Sequence, residues 1–132
     1  MTTVELEELS RRKRAQVVKL IEVADVTRQI AEAVEHRDEV SAQMLLSERE
    51  RPVRELREIE DGVRNYVKAL PQEDAIRAEE LLKGAEAAAE EESVLADQAA
   101  QFRRIYDSVR ALDEQVSVRL GGNKSFYKMY RT

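Results

Sequence analysis

The stretch from Ala85 to Leu120 most constrains the fold, because it contains no Pro or Gly and its apolar residues recur at helical spacing. The large side chains repeat every seven residues in two registers: Leu95, Phe102, Val109 and Val116, then Ile105 and Leu112. This spacing predicts one amphipathic helix of about 35 residues, roughly 50 Å long at 1.5 Å per residue. Such a helix is not stable alone, so we expect the rest of the chain to supply partner helices.

The composition also favours a helical domain. Of 132 residues, 37% are charged and 5% aromatic, with only four Gly and two Pro. Cys is absent, which excludes disulfides, thiolate metal sites and Cys nucleophiles. The net charge of −5 disfavours general nucleic-acid binding. We find no run long enough to span a membrane and no secretion signal, so we expect a cytoplasmic protein.

Three helical regions are predicted within a single domain, residues 1–122. The first covers about residues 3–36, begins at a Thr2/Glu5 capping box and has polar early turns that project beyond the bundle or fray. The second covers about 38–69, with Asp38 as its N-cap. The third covers about 72–120, where Gly84 is either a bend or a weak point. The expected architecture is an all-α antiparallel three-helix bundle with coiled-coil-like seams.

Two residues of the second helix are unusual for its apolar seam. Pro52 should remove one backbone hydrogen bond, yet the heptad keeps its phase across it, so we predict one kinked helix rather than two. Arg49 lies on the seam itself. Either its stem is buried and its head pairs with a carboxylate at the bundle edge, or it contacts a partner.

The chain carries no recognisable catalytic or metal-binding motif. It has a single His, His36, and no phosphate-binding Gly loop, so we predict no catalytic residues, no cofactor, no metal and no enzymatic activity. The basic run 11–14 is interpreted as a solvated helix turn, with phosphate binding as the weaker alternative.

The last ten residues, 123–132, differ from the rest of the chain. They carry Phe126, Tyr127 and Tyr130, and their charged side chains are all basic. Three readings stay open: a disordered end, a segment that folds back onto the core, or an exposed recognition segment whose aromatic side chains anchor a partner.

The whole pattern resembles the FlgN-type flagellar export chaperones, to which the FliT-like chaperones are related. The similarity rests on several segments taken together. They are a first amphipathic helix from Val17 to Val34, the junction His36-Arg-Asp38, the stretch Leu45-Leu-Ser-Glu-Arg49 with Pro-Val-x-x-Leu56, the turn Leu70-Pro71, and a long helix ending in Leu112-Asp-Glu-Gln-Val-Ser-Val-Arg-Leu-Gly121.

This resemblance implies a cytoplasmic chaperone for flagellar hook-associated proteins. It would bind the amphipathic helical end of a client, prevent premature assembly, and deliver the client to the type III export apparatus. An apolar groove in a three-helix bundle can accept such a helix, and an uncovered seam would favour a homodimer without client. The alternative is a structural coiled-coil module that only self-associates.

We expect a partner to bind the distal half of the long helix and the tail. The predicted partner-binding residues are Phe102, Ile105, Tyr106, Val109, Leu112, Val116, Leu120, Phe126, Tyr127 and Tyr130.

Overall fold

The computed structural model describes residues 1–120, which form an all-α bundle with no strand in that range. Its helices are α1 (Thr3–Glu35), α2 (Glu39–Lys68), α3 (Gln72–Leu82) and α4 (Ser93–Arg119), with one 3₁₀ turn at Glu90–Glu92. The predicted fold class is confirmed, and the bounds of the first two helices agree with prediction to one residue at each end. The Gly121-Gly122 pair and the tail 123–132 lie outside the described residues.

The start of α1 belongs to the bundle, so the prediction that it projects or frays is wrong. The predicted capping box is present: Glu5 N–H donates to Thr2 Oγ1 (3.1 Å), and Thr2 N–H donates to Glu5 Oε1 (2.8 Å). Leu6 and Leu9 follow within two turns and are buried. Sequence alone suggested a polar start because Ser10, Lys13 and Arg14 interrupt the apolar seam, but Lys13 is itself buried.

The turn between α1 and α2 is very short, yet it supplies hydrogen bonds to backbone groups at the end of α1 and at the start of α2. Arg37 adopts a positive φ of 57°, and its N–H donates to Val34 O (3.1 Å). Asp38 N–H donates to Ala33 O (2.9 Å), which completes a Schellman motif. The Asp38 carboxylate then accepts the Ser41 N–H (3.1 Å), so the predicted N-cap of α2 is confirmed.

Helix α2 runs without interruption through Pro52, as the unbroken heptad predicted. The Pro52 ring is fully buried. Burial of apolar side chains on both sides of Pro52, at Leu46 and Leu56, offsets the loss of one backbone hydrogen bond.

The long helix predicted from Ala85 begins instead at Ser93. Gly84 has a φ of 109°, and its N–H donates to Leu81 O (3.1 Å) while Ala85 N–H donates to Glu80 O (2.9 Å). This second Schellman motif ends α3 at a residue that tolerates positive φ. Gly84 is therefore a bend between two helices, one of the two predicted alternatives.

Side-chain bonds hold the segment between α3 and α4 out of the helical conformation. The Arg77 guanidinium binds both oxygens of Glu92 (2.9 and 2.7 Å) and donates to Glu86 O (3.1 Å). Glu92 also accepts the Ala88 N–H (2.8 Å). These bonds lower the pKa of Glu92 to about 2, with the Arg77 hydrogen bonds as the main cause. The segment is rich in helix-forming Ala and Glu, but it has no large apolar side chain whose burial would stabilise a helix.

Helix α1 is the central element, since it packs closely along both α2 and α4, whereas α2 and α4 approach each other much less. Helix α4 runs parallel to α1: Leu95 lies in a cluster with Leu6, and Val116 in a cluster with Ile30. Helix α2 runs antiparallel to both. The result is an up-down-up bundle with a wide gap between its second and last helices.

Helix α3 fills this gap at one end of the bundle only, by packing against α2 and α4. We call this the four-helix end, and it is defined by the buried cluster Leu6, Leu9, Val63, Val67, Ala78, Leu81 and Leu95. Beyond Gly84, no described helix covers the gap between α2 and α4.

Candidate protein-binding groove

The uncovered part of the gap is a groove with one wall from α2 and one from α4. We call it the α2–α4 groove. Its side chains are those that contacts or electrostatic interactions place between the two helices. They are Arg49, Val53 and Glu60 from α2, and Phe102, Arg103, Tyr106 and Asp113 from α4.

The two walls are joined near their far end by an ion pair. The Arg49 guanidinium donates to Asp113 Oδ2 at 3.2 Å, and both side chains are largely buried. This contact matches the predicted reading in which the Arg49 head pairs with a carboxylate at the bundle edge. It shows how a heptad position can carry Arg, because α4 places Asp113 opposite it.

The floor of the groove is aromatic and apolar. Phe102 is half-buried and packs with Val53 against the core cluster that contains Leu56 and Val109. Tyr106 stacks on Phe102 with ring centroids 6.1 Å apart and keeps 45% of its surface exposed. A ring of this kind at the mouth of a groove is the usual anchor for a protein partner.

Beneath this floor lies a buried polar layer, formed by Lys13 and Gln16 of α1. Lys13 and Gln16 are only 6% and 5% exposed. The Lys13 ammonium donates to Gln16 Oε1 (3.1 Å) and lies 3.8 Å from the centroid of the Phe102 ring, as a cation–π contact.

The environment of Lys13 disfavours its charge. Burial lowers the pKa of Lys13 to about 8; Glu60 of α2 opposes this shift and Arg103 of α4 adds to it. The ammonium makes no ion pair with any carboxylate of residues 1–120. Its charge is therefore balanced mainly by an aromatic face and one amide oxygen.

The interpretation of residues 11–14 as a solvated turn is wrong for Lys13, which enters the core. Arg11 and Arg14 are exposed, and Arg12 lies 5.1 Å above the Tyr66 ring with 40% of its side chain still exposed. The available signal was the heptad itself, because Lys13 stands seven residues after Leu6 and seven before Leu20. A polar residue at a seam position should have been expected inside.

The predicted partner-binding residues fall into three groups in the structure. Val109, Val116 and Leu120 are buried in the core of this chain. Phe102, Ile105 and Leu112 are half-buried, and Tyr106 is exposed. Phe126, Tyr127 and Tyr130 lie outside the described residues. Of the second group, Phe102 and Tyr106 line the α2–α4 groove, and Ile105 packs against the same core cluster as Phe102.

A second opening lies on the other side of the bundle, between the first turns of α1 and the start of α4. It measures about 420 Å³ and includes Leu6 and Val94. Its rim mixes both signs of charge, with Arg11 and Arg14 opposite Glu90 and Glu91. With no convergent set of polar groups, it lacks the features of a specific small-molecule site.

Within residues 1–120, we find no group of three or more side chains able to hold a metal ion, and none of these helices is long and apolar enough to cross a membrane. Comparison with protein-family models, with curated proteins and with solved structures finds no match to this chain.

Proposed function

We propose that this protein is a cytoplasmic export chaperone of the FlgN type, which binds the amphipathic helical end of a hook-associated protein in the α2–α4 groove. The class of client comes from the sequence resemblance. The geometry supports the α2–α4 groove as the place of binding. A bound helix would lie between α2 and α4, in line with α3 and beyond its end, and would complete a four-helix cross-section. Release to the type III export apparatus would follow.

The observation that carries the proposal is the aromatic floor of the groove where α3 stops, formed by the half-buried Phe102 and by Tyr106, which is 45% exposed. At the four-helix end the same gap is filled by Ala78 and Leu81 of α3, both fully buried. Further along, Phe102 and Tyr106 occupy the corresponding face of α4 without a helix above them in the described structure. A helix with apolar residues at i, i+3/i+4 and i+7 spacing has the shape that such a gap accepts.

The test is to measure binding of terminal helical segments from the hook-associated proteins encoded in the same genome. Tyr106→Ala should weaken binding about tenfold or more, because a central aromatic anchor is lost. Val118→Ala is the matched control, since Val118 lies on the same helix, is 80% exposed and faces away from the groove. It should leave affinity unchanged.

Binding of no segment by the wild-type protein would refute the proposal. Sedimentation separates it from the alternative of a self-association module. If Tyr106→Ala converts a stable dimer into a folded monomer and no segment binds, the groove is a homotypic interface and the chaperone proposal is wrong.

A further inference from the structure

Lys13 is an incompletely compensated charge directly below the open part of the groove. An ammonium has three N–H donors, and here one is used, by Gln16. Burying a charge without an ionic partner is unfavourable, and the face of Phe102 offsets only part of this cost. Two donors of the ammonium thus remain for a negatively charged acceptor from outside the described residues.

The charges around Lys13 favour the same kind of ligand. Within residues 1–120, Glu60 of α2 is the carboxylate whose charge acts on the ammonium, and Arg103 of α4 adds a second cation. Two cations therefore face one carboxylate at this point of the groove, which favours an acidic partner segment.

We infer that the α2–α4 groove selects a client helix that presents an Asp or Glu side chain to Lys13, beside an apolar residue packed on Phe102 and Tyr106. This inference rests on the proposed function and adds the chemistry that the groove recognises. The client carboxylate takes the unused donors of the ammonium at the edge of the Phe102 ring. Desolvation strengthens this charged hydrogen bond, which makes one acidic position in the client decisive.

The experiment is a double-mutant cycle between Lys13→Met and client segments in which each Asp or Glu is changed singly to Asn or Gln. Met is an unbranched side chain only one heavy atom shorter than Lys, and it removes the charge. We expect Lys13→Met to weaken binding of the unchanged segment about tenfold. One amide-substituted segment should bind wild-type and variant proteins equally, within twofold.

A second measurement does not depend on the stability of the variant. The titration of Lys13, followed by NMR of its ε-methylene carbon in the wild-type protein, should move to higher pH when the segment binds. An amide-substituted segment should not move it. An unchanged Lys13 titration with a bound acidic segment would overturn the inference.

The two proposals fail in different ways. If segments bind and Tyr106→Ala weakens that binding, but Lys13→Met binds every segment as tightly as the wild-type protein does, the carboxylate inference is wrong and the chaperone proposal stands. If no segment binds either protein, the proposed function itself is wrong.

Discussion

The four-helix end and the open half of the bundle use the same face of α1 in opposite ways. At the four-helix end, Leu9, Leu81 and Leu95 are fully buried by four helices. One turn further along α1, Lys13 is nearly as buried, yet it lies under the part of the gap that α3 does not cover. A fourth helix therefore makes the difference between a dry apolar layer and a layer that retains a charge. The layer that retains a charge is therefore the better candidate for a functional site.

The largest expected effect tests whether the four-helix end is the more rigid part of the core. Leu95→Ala should destabilise the protein by about 2–5 kcal/mol, because it leaves a cavity in a fully packed site. Leu112→Ala, at a half-buried position on the same helix, should cost only ~1 kcal/mol. Urea unfolding measures both. Equal losses would mean that the two regions are packed alike.

The second prediction concerns the charged layer. Lys13→Met should stabilise the free protein by about 1–3 kcal/mol at pH 7, since a buried, incompletely paired cation is replaced by an apolar side chain of similar length. The folded pKa of Lys13 is about 8 and its ordinary value is 10.5, so the unfolded chain binds more protons between these values. Wild-type stability should therefore approach that of the variant as pH rises from 8 to 10.5.

The measurement is the difference in unfolding free energy between the wild-type protein and Lys13→Met at each pH. The difference is needed because other groups titrate in the same range. A variant that is less stable than wild type at pH 7 would show that the layer is already well compensated by Glu60 and Gln16.

The third prediction concerns the segment that carries the chain from α3 to α4 at the four-helix end. Glu92→Gln should destabilise the protein by about 1–2 kcal/mol at pH 7, after allowance for solvent screening of the Arg77 pair. The folded pKa of Glu92 is lowered to about 2 from 4.5. This contribution is therefore present above pH 4.5 and is lost as pH falls towards 2.

Thermal unfolding of Glu92→Gln and wild type, measured from pH 7 to pH 2, tests this prediction. Glu91→Gln is the matched control, because Glu91 is exposed one residue earlier in the same 3₁₀ turn. Identical pH profiles for the two variants would mean that the Arg77 bonds do not stabilise the segment.

The smallest expected effect compares the two Schellman turns. Arg37→Gly should stabilise the turn between α1 and α2 by about 1 kcal/mol, because Gly removes the steric penalty of a positive φ. Gly84→Ala should act in the opposite direction, since φ is 109° and a Cβ there would overlap the guanidinium of Arg103. Melting temperatures suffice for both. A loss of stability in Arg37→Gly would show that the Arg37 side chain matters more than its backbone.

The sequence predicted the fold well where apolar spacing and capping residues agree. Thr2, Asp38 and the unbroken heptad around Pro52 each led to the correct helix bounds. It failed at Ala85–Glu92, because helix propensity is a weak local preference and the Arg77–Glu92 bonds join residues far apart in sequence. It also failed at Lys13, because composition suggests solvent whereas the heptad position requires burial.

The candidate site was only partly predictable. Spacing identified Phe102 and Tyr106 as members of the apolar stripe, but it could not tell which side of α4 is covered. The side of α4 that is covered depends on α1, against which Val109 and Val116 pack in the core. It also depends on α3, which does not extend along the bundle as far as Tyr106. The groove is formed by the packing of several helices, so the residue pattern of one helix alone does not predict it.

The central position of α1 has a consequence for how the chain is made. Its neighbour α2 follows directly, whereas the residues of α4 that cover its other side are synthesised about 90 residues later, roughly 5–20 s at ordinary ribosomal rates. During that interval the α1–α2 hairpin can form, but one apolar side of α1 stays open to other proteins. A message cut short before α4 would yield a product with that surface permanently uncovered, and so prone to aggregation or proteolysis.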